Sequence, residues 1–367
     1  MTNKIYINGR FLASPRTGVQ RVGEQLIRAI DSAIALDPEH YAGRFELLEP
    51  AQANRSLALG HIRSHRFGSL PPLLWEQIDL PWRSRQGFSL NLCNVGPVAK
   101  RHAVTMVHDA QVYTTPQSYS KAFRLWYRFV QPLLGKRHHL ILTVSEYSRA
   151  QLVSYGVATA DRIKVIYNGV DHVLDFGHDE TALTGAGLTR GGYVLSLASL
   201  QPHKNTAILL KTWAQGGFDG MPLVLFGGVD RSSLEAAYGP LPDGVVLLGR
   251  VSDEQLRSLL EGALCYLCPS TTEGFGLPAL EAMTLGCPAV AAPCGALPEV
   301  CGDAVLYADP HDPAAWRQAV LRLAQEPETR ANLIETGRAQ AQRFNWASAA
   351  GALLDTLSTL TGEGRPQ

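Results

Sequence analysis

The most informative stretch of the sequence is a glycine-rich turn with an acid at each end, Glu273-Gly-Phe-Gly-Leu-Pro-Ala-Leu-Glu281. Pro278 suits the first position of a helix, where its missing N–H would have no partner, so we expect a helix over residues 279–285. Residues 263–268 are short and apolar, which predicts a buried strand before the turn. The expected order is strand, glycine turn and helix.

Such a turn suits a ligand that carries both phosphates and hydroxyls. The N–H groups and the positive dipole end of a helix N-terminus bind anionic phosphates. Two carboxylates would repel a phosphate, but they accept hydrogen bonds from sugar hydroxyls. A nucleotide sugar has a diphosphate and several hydroxyls, so the turn predicts a nucleotide-sugar site.

Short apolar runs alternate with helical stretches along the chain of 367 residues, which is typical of parallel sheets covered by helices. We expect two doubly wound α/β domains that face each other across a cleft, because a single sheet of that many strands is improbable. We place them at residues 1–175 and 190–345, followed by a helix and tail at 346–367 that could cap either domain. The expected strands are residues 4–8, 45–48, 89–93, 103–108, 140–144, 164–167, 193–198, 223–226, 245–248, 263–268, 289–292 and 304–307. The expected helices are residues 19–31, 147–155, 205–214, 231–237, 253–261, 313–324 and 346–360.

Ligands of such sheets bind at the carboxyl ends of the strands, and the loop Ser199-Leu-Gln-Pro-His-Lys-Asn205 is in that position. Lys204 is a point charge suited to a diphosphate. The alternative is a solvated surface lysine, but a cation at a helix start opposes the helix dipole unless an anion is bound. We therefore favour a binding role for Lys204.

The first half of the chain has two weaker candidates. Gly18, in Arg16-Thr-Gly-Val-Gln-Arg21, would let the backbone approach a ligand, although a turn glycine before a helix explains it equally. His108 and Asp109 end an expected strand. A histidine there could donate to a sugar hydroxyl or an oxyanion, and a buried histidine paired to the adjacent turn is the alternative.

Two glycine turns follow neighbouring strands, Phe226-Gly-Gly228 and Leu248-Gly-Arg-Val251. Both could line the pocket of a nucleotide base, and both could be plain tight turns. The motif Cys265-Tyr-Leu-Cys268 could bind zinc or act in redox chemistry, but it lies in the expected buried strand. We favour core residues, since positions three apart point to opposite faces of a strand.

Residues 119–139 form a basic amphipathic segment. Lys121, Arg124 and Arg128 share one helical face, and the opposite face carries Phe123, Trp126, Val130 and Leu134. Such a helix suits an anionic membrane surface. It could equally be a core-packing helix with a basic outer face, interrupted at Pro132.

Composition excludes some classes of protein. The 33 basic and 33 acidic residues give zero net charge, which does not favour a nucleic-acid binder. No apolar run approaches the length of a membrane span. The cysteines show no disulfide framework, so we expect a cytosolic protein with reduced thiols.

These motifs resemble those of the retaining GT-B glycosyltransferases, whose hallmark is two glutamates separated by seven residues, here Glu273 and Glu281. The resemblance extends to Leu-Pro298-Glu299-Val, Thr143-Val-Ser145-Glu-Tyr-Ser-Arg149 and Tyr167-Asn-Gly-Val-Asp171. It implies that the second domain binds the nucleotide sugar and the first binds the acceptor. It also implies retention of the anomeric configuration, with no required cofactor and no metal.

The resemblance assigns roles residue by residue. Glu273 would contact the sugar hydroxyls and Glu281 the ribose, while Lys204 and the N–H groups near Gly276 and Leu277 would hold the diphosphate. Gly18 would approach the phosphates and His108 the sugar. The residues expected to act in catalysis are Glu273, His108 and Lys204. The residues expected to bind the donor are Gly18, Ser199, Lys204, Asn205, Gly249, Arg250, Glu273, Gly274, Phe275, Gly276, Leu277 and Glu281. Those expected on the acceptor or membrane side are Asp109, Lys121, Arg124 and Arg128.

One position departs from the family pattern, because Ser199 stands where many members have an arginine. Either another cation replaces it, with Arg16, Arg21 and Arg250 as the candidates, or the diphosphate is held more weakly. The Leu200-Gln-Pro-His-Lys-Asn205 loop is similar to that of bacterial polysaccharide transferases that use GDP-sugars. The expected activity is mannose transfer from GDP-mannose to a glycan or polyprenyl-diphosphate-linked acceptor, at the inner face of the membrane. The alternatives are a GDP-deoxyhexose or UDP-sugar transferase, a nucleotide-sugar epimerase or phosphorylase, and a non-catalytic binding module. A dinucleotide oxidoreductase is disfavoured because no G-x-G-x-x-G opens the first βα turn.

Overall fold

A computed structural model of the chain describes residues 4–362, and it divides into two compact units, 4–169 with 346–362, and 170–345. The first segment of the first unit ends at Gly169, before the expected end of the first domain at residue 175. Residues Asp171–Asp175 form a short 3-10 helix that packs on a helix of the second unit, which explains the earlier boundary. Residues 363–367 of the expected tail lie outside the described residues.

The described part of the first unit holds one parallel sheet of seven strands in the order β3-β2-β1-β4-β5-β6-β7. This order changes direction at β1, as in doubly wound folds. The strands are β1 (Ile5–Asn8), β2 (Phe45–Pro50), β3 (Arg63–Phe67), β4 (Phe88–Asn91), β5 (Ala103–Met106), β6 (Leu140–Thr143) and β7 (Ile163–Val165). The helices between them are α1 (Gly18–Leu36), α2 (Pro38–Tyr41), α3 (Pro72–Gln77), α4 (Asp79–Arg83), α5 (Gln111–Thr114), α6 (Lys121–Arg137) and α7 (Glu146–Ser154).

The second unit, described throughout, has six parallel strands in the order β10-β9-β8-β11-β12-β13. These are β8 (Val194–Leu197), β9 (Leu223–Phe226), β10 (Val245–Gly249), β11 (Cys265–Cys268), β12 (Ala289–Ala291) and β13 (Leu306–Tyr307). The helices are α8 (Thr181–Gly185), α9 (Thr206–Ala214), α10 (Arg231–Tyr238), α11 (Asp253–Gly262), α12 (Leu277–Thr284), α13 (Leu297–Cys301), α14 (Pro313–Gln325) and α15 (Pro327–Ala341). The last helix, α16 (Trp346–Thr361), packs against α1 in the first unit.

The alternating pattern of the sequence is confirmed, because each expected strand is present and both sheets are parallel. The strand β3 was not expected. It lies at the sheet edge with Arg63 to Arg66 exposed, so it lacks the apolar pattern of a buried strand. The helix α15 was also missed. Its buried side is Leu333, Gly337 and Ala341, and two of these residues are too small to give a clear hydrophobic periodicity.

Candidate active site

Lys204 and Glu273 meet at the carboxyl edge of the second sheet. The strands β8 and β11 are neighbours in parallel register, so the loops that follow them leave the sheet side by side. Lys204 Nζ lies 2.7 Å from Glu273 Oε1. Ser270 Oγ donates to the same oxygen over 2.6 Å. The structure thus brings together two residues that are 69 positions apart in the chain.

The Glu273 carboxylate is buried and ionised. Burial by itself raises its pKa, but the Lys204 charge and the hydrogen bonds from Lys204 and Ser270 outweigh burial, so the pKa lies below its ordinary value. The neighbouring His203 has its pKa lowered to about 4, first by burial and then by the Lys204 charge. The imidazole is therefore neutral at pH 7, and Lys204 and Glu273 form a buried pair of opposite charges.

The glycine turn joins β11 to α12 with a left-handed residue. Gly276 has φ +97°, and a Cβ there would lie 2.6 Å from Leu297 Cδ2, so only glycine fits without strain. Leu277 is the first helical residue. Pro278 is therefore the second helical residue, whereas the sequence predicted it to be the first. The first backbone bond of the helix runs from Ala279 N–H to Gly276 O at 3.1 Å. The N–H groups of Gly276 and Leu277 thus precede the helical ladder.

Two aromatic rings support this turn. The Phe275 side chain is buried, and its ring meets that of Phe344 edge to face with centroids 5.6 Å apart. Gly274 lies between this anchored phenylalanine and Glu273. Because Phe275 points into the core, its expected part in donor binding can come only from its backbone.

Glu281 lies one turn into α12, where its carboxylate is buried. Its Oε1 is 3.4 Å from His172 Nε2. His172 belongs to the 3-10 helix Asp171–Asp175, which packs on α12. The second glutamate therefore lies beside a histidine that the motif itself does not include.

Asn205 and Ser199 shape the lysine loop. Asn205 is left-handed (φ 55°), and its Nδ2 donates to Pro269 O and Pro310 O over 3.1 and 2.8 Å. The amide donors of Asn205 are thus used to tie three loops together. Ser199 Oγ accepts the N–H of Gln201 at 3.1 Å. Both side chains hold the loop that presents Lys204, and this positioning role was not foreseen for them.

Arg250 is an exposed cation at the end of β10. Gly249 has a left-handed backbone (φ +70°), which suits a tight turn there. Its carbonyl accepts the N–H of Gly227 at 2.8 Å, which joins the ends of β10 and β9. A Cβ on Gly228 would lie 3.1 Å from Arg250 Nε, so the arginine covers the turn after β9. Of the cations suggested to compensate for Ser199, Arg250 shares the unit of Lys204, whereas Arg16 pairs with Glu24 at 3.2 Å in the first unit.

His108 ends the strand region of β5 and is buried. Its Nε2 lies 2.7 Å from Leu92 O, and its backbone N–H donates to Asn94 Oδ1 at 2.8 Å. Burial lowers the pKa of His108 to about 4 despite the Leu92 hydrogen bond, so the ring is neutral. A carbonyl only accepts, which places the proton on Nε2 and leaves Nδ1 as an acceptor. In this state the ring offers Nδ1 as an acceptor for a hydroxyl, so a contact with a sugar stays a prediction and differs in direction from the donation that the sequence suggested.

Gly18 and Asp109 lie at helix starts of the first unit. Gly18 is the first residue of α1, and a Cβ there would meet nothing within 4 Å, so the space beside it is open. The preceding Thr17 N–H is satisfied at 3.1 Å by the side chain of Gln20. Asp109 Oδ1 accepts the N–H of Gln111 over 2.8 Å at the start of α5.

The basic helix α6 differs from its expected form in two ways. It continues through Pro132 instead of being interrupted there. Its apolar side chains are also divided: Val130 and Leu134 are buried, whereas Phe123 is 39% exposed. The reason is that the core packs against the helix from Trp126 onwards, so Phe123 in the first turn lies outside it. Lys121 and Arg128 are exposed as expected, while Arg124 is half-buried with a bond to Pro116 O at 3.3 Å.

Several site residues escaped the sequence interpretation. A Cβ on Gly295 would lie 2.4 Å from Glu273 N, and the N–H of Ala296 donates to Glu273 O at 2.9 Å, so the loop after β12 packs directly on Glu273. Gly295, Ser270, His172 and His203 carry no motif of their own. Only the position of each in a post-strand loop could have suggested them.

The thiols of Cys265 and Cys268 lie within β11 as expected for core residues. Both are free and buried, and burial raises both pKa values. Within residues 4–362, no group of three or more His, Cys, Asp and Glu side chains is arranged to hold a metal ion.

Comparison with known proteins assigns the family. Residues 188–340 match the family "Glycosyl transferases group 1", and residues 87–174 match "Glycosyltransferase Family 4". The chain is 30% identical over 375 residues to O-antigen chain mannosyltransferase B of Escherichia coli, covering 94% of this chain and 97% of that protein. The chain belongs to the same glycosyltransferase family as this mannosyltransferase.

Solved structures give the fold of this glycosyltransferase. Sucrose-phosphate synthase from Thermosynechococcus elongatus superposes with a TM-score of 0.73 at 19% identity, covering 98% of this chain and 99% of the other. The Anabaena protein HepE, solved in complex with UDP and glucose, superposes with a TM-score of 0.72 at 21% identity, covering 97% and 99%. The expected GT-B fold is confirmed. None of the helices within residues 4–362 has the length and apolarity required to cross a membrane.

Proposed function

We propose that this protein is a retaining glycosyltransferase that moves mannose from GDP-mannose to a glycan or lipid-linked acceptor in surface polysaccharide biosynthesis. The observation that carries the proposal is the Lys204–Glu273 contact of 2.7 Å beside the glycine turn. Full-length similarity to an O-antigen chain mannosyltransferase supports mannose as the sugar.

The charges at the site suit each part of this donor. The ionised Glu273 accepts hydrogen bonds from sugar hydroxyls, and the Lys204 ammonium balances the diphosphate. The N–H groups of Gly276 and Leu277 and the dipole of α12 add to the diphosphate site. Without ligand the two side chains neutralise each other. A bound diphosphate would take over Lys204 and release Glu273 to the sugar.

The reaction would proceed on one face of the sugar. The acceptor oxygen forms a bond to the anomeric carbon from the side on which the bond to the diphosphate breaks, and the acceptor proton passes to a leaving phosphate oxygen. The anomeric configuration is retained, and no protein base is needed. Lys204 and Arg250 stabilise the negative charge that develops on the diphosphate, so the proposed mechanism requires neither a metal nor a cofactor.

The helix α6 supports a contact with the inner face of the membrane, which would bring the enzyme to a lipid-linked acceptor. Leu125 and Phe129 are 75% and 63% exposed, beside the basic residues Lys121 and Arg128. Apolar side chains flanked by cations bind anionic bilayers. We expect sedimentation with vesicles containing phosphatidylglycerol but not with pure phosphatidylcholine. A Leu125→Ser, Phe129→Ser double variant should no longer sediment with the phosphatidylglycerol vesicles. Equal binding of the wild type to both kinds of vesicle would contradict the proposal.

The donor is tested by thermal shift against GDP-, UDP-, ADP- and dTDP-sugars. A donor at about 100 times its dissociation constant adds roughly 2.7 kcal/mol of stability. We expect the largest shift with GDP-mannose, and transfer to octyl glycosides that gives an α-linked product by NMR. Lys204→Ala and Glu273→Ala should abolish transfer while the circular dichroism spectrum stays unchanged. Full activity in either variant, or a β-linked product, would overturn the proposal.

A UDP-sugar donor is the second candidate, because the structural neighbour HepE is seen with UDP and glucose. The same screen separates the two, since a UDP-sugar would then give the largest shift. A GDP-deoxyhexose would be identified in the same way. Conversion of the donor without an acceptor would indicate an epimerase, and binding without conversion would indicate a non-catalytic module.

A further inference from the structure

A cavity lies beside the edge strand of the first sheet, at the end where the strands begin. Two parallel neighbours such as β2 and β3 are usually joined by a helix that covers one face of the sheet. Residues 51–62, which join these strands here, contain no helix. A cavity of about 630 Å³ lies between this connection, α1, α2 and the first half of β3. The absence of a covering helix accounts for the open space.

The connection around the cavity is fixed at both ends. The Asp31 carboxylate on α1 accepts the N–H groups of residues 60–62 over 2.8, 2.8 and 2.7 Å. Burial raises the pKa of Asp31, but these three bonds outweigh it, so the pKa lies below its ordinary value. Near the other end, Arg55 Nη2 donates to Phe11 O and Ser14 O over 2.9 and 3.0 Å. The cavity is therefore formed before any ligand binds.

One wall of the cavity is apolar. Leu57 and Leu59 are half-buried, whereas Ser56 and Ala58 are exposed, so the two leucines turn inward. Both line the cavity together with Ile34, which lies near the end of α1. A wall of aliphatic side chains in a cavity of this size suits the hydrocarbon part of a small ligand.

The remaining lining residues carry positive charge. His61, Arg63 and His65 line the cavity, and among the described residues around it none is acidic. The Glu46 carboxylate, 3.9 Å from His65 Nε2, is already paired with the Lys4 ammonium. Arg63 is exposed, and in the part of the chain that the structure describes its side chain has no hydrogen-bond or ion-pair partner. Its charge is therefore available to an anion.

We propose that this cavity binds an amphiphilic organophosphate, with the alkyl chain along Leu57 and Leu59 and the phosphate on Arg63. The guanidinium binds a phosphate through paired donors, and the leucines remove the chain from water. The cavity lies where the strands of the first sheet begin, so it is separate from the loops that follow the strands and from Lys204 and Glu273. The inference does not depend on which sugar donor the protein uses.

A simpler role for Arg63 is to protect the free edge of β3, since charged side chains on an edge strand prevent pairing with another chain. In that case, replacing Arg63 would change the oligomeric state of the protein and would leave the binding of an alkyl phosphate unchanged. The two roles therefore differ in what a single substitution does.

The test titrates the full chain with octyl phosphate in calorimetry, with GDP present at saturation so that the diphosphate site is occupied. We expect one octyl phosphate to bind per chain. Inorganic phosphate, which lacks the chain, and octylamine, which carries the opposite charge, should each bind at least tenfold more weakly. These two probes distinguish a lipid phosphate from a free phosphate and from any alkyl compound.

Arg63→Gln should weaken the binding of octyl phosphate at least tenfold, because the phosphate loses its cation. Arg28→Gln is the matched control, since Arg28 is exposed on α1 and does not line the cavity, and it should bind octyl phosphate as the wild type does. Leu57→Asp places a carboxylate on the apolar wall and should abolish the binding. Because Arg63 is exposed, its variant keeps the test decisive even if Leu57→Asp fails to fold.

Four results would each overturn the proposal. Octyl phosphate does not bind, or binds in several copies per chain. Inorganic phosphate or octylamine binds as tightly as octyl phosphate. The Arg63→Gln variant binds octyl phosphate as the wild type does. Binding of octyl phosphate is seen without GDP and disappears when GDP is added, which would place the phosphate in the diphosphate site instead.

Discussion

The Lys204–Glu273 pair should stabilise the second unit even when no ligand is bound. The side chains are 19% and 9% exposed, so each charge has lost most of its hydration. The perturbation is a double-mutant cycle with Lys204→Met, Glu273→Gln and both together. Each single change leaves the other charge buried without its partner, which costs more than removing the pair.

The expected magnitude follows from the separation and the burial. Two unit charges at 2.7 Å attract by roughly 6 kcal/mol at an effective dielectric constant near 20. The desolvation cost of each charge cancels in the cycle, but relaxation and water entry around the remaining charge in each single variant lower the measured value, so we expect a coupling free energy of about 3 kcal/mol. The control is Arg322–Glu326, a pair of similar length (3.0 Å) whose side chains are about half exposed. Its coupling should be far smaller than that of the buried pair, because solvent screens exposed charges.

Hydrogen–deuterium exchange of peptides from β8, β9 and β11 measures the free energy of opening of this unit, without assuming that the whole chain unfolds in one step. GDP gives a second readout, since its diphosphate would replace Glu273 as the partner of Lys204. The Glu273→Gln variant should therefore recover most of its lost stability with saturating GDP. A coupling as small as that of the control pair, or no recovery with GDP, would refute the argument.

A loop glycine, the buried histidines and an exposed arginine give three further predictions. Gly295→Ala places a Cβ 2.4 Å from Glu273 N at φ +64° and should cost roughly 3 kcal/mol of unfolding free energy, whereas Gly187→Ala (φ +64°, open space) should cost about 1 kcal/mol; equal losses in urea titrations would contradict the packing. Burial lowers the pKa of three histidines from 6.5 to about 4, so folding favours their neutral form. The contribution of each histidine to the free energy of unfolding is complete above pH 6.5 and is lost as the pH falls towards 4, with a loss of about 2 kcal/mol at pH 5. A urea midpoint that is as high at pH 5 as at pH 7 would be inconsistent with this. The three are His108, His138 and His203. Arg250→Gln should weaken GDP binding about tenfold in calorimetry and reduce the salt dependence of that binding. Arg322→Gln is the control and should bind GDP as the wild type does. Undiminished GDP affinity of the Arg250→Gln variant would exclude a contact between Arg250 and the diphosphate.

Local sequence signals were sufficient to predict the parallel α/β architecture and the location of the glutamate turn. Alternating apolar runs and helical stretches are local signals, since each buried strand needs its own run of apolar residues. The Gly276 turn is also local, because a left-handed residue at a helix start restricts the residue type directly. For the same reason β3 was missed, since an exposed edge strand needs no apolar run.

The hydrogen-bond partners and protonation states of the functional side chains could be read only from the tertiary structure. The partners of Glu273, Glu281 and His108 come from Lys204, His172 and Leu92, which are distant in sequence. His108 is neutral because it is buried, and its Nε2 proton is used by the Leu92 carbonyl. The ring therefore offers a ligand an acceptor, Nδ1, rather than a donor. The Arg10–Glu76 pair joins residues that are 66 positions apart. Protonation states and hydrogen-bond roles depend on which groups meet after folding, and sequence spacing does not contain those distances.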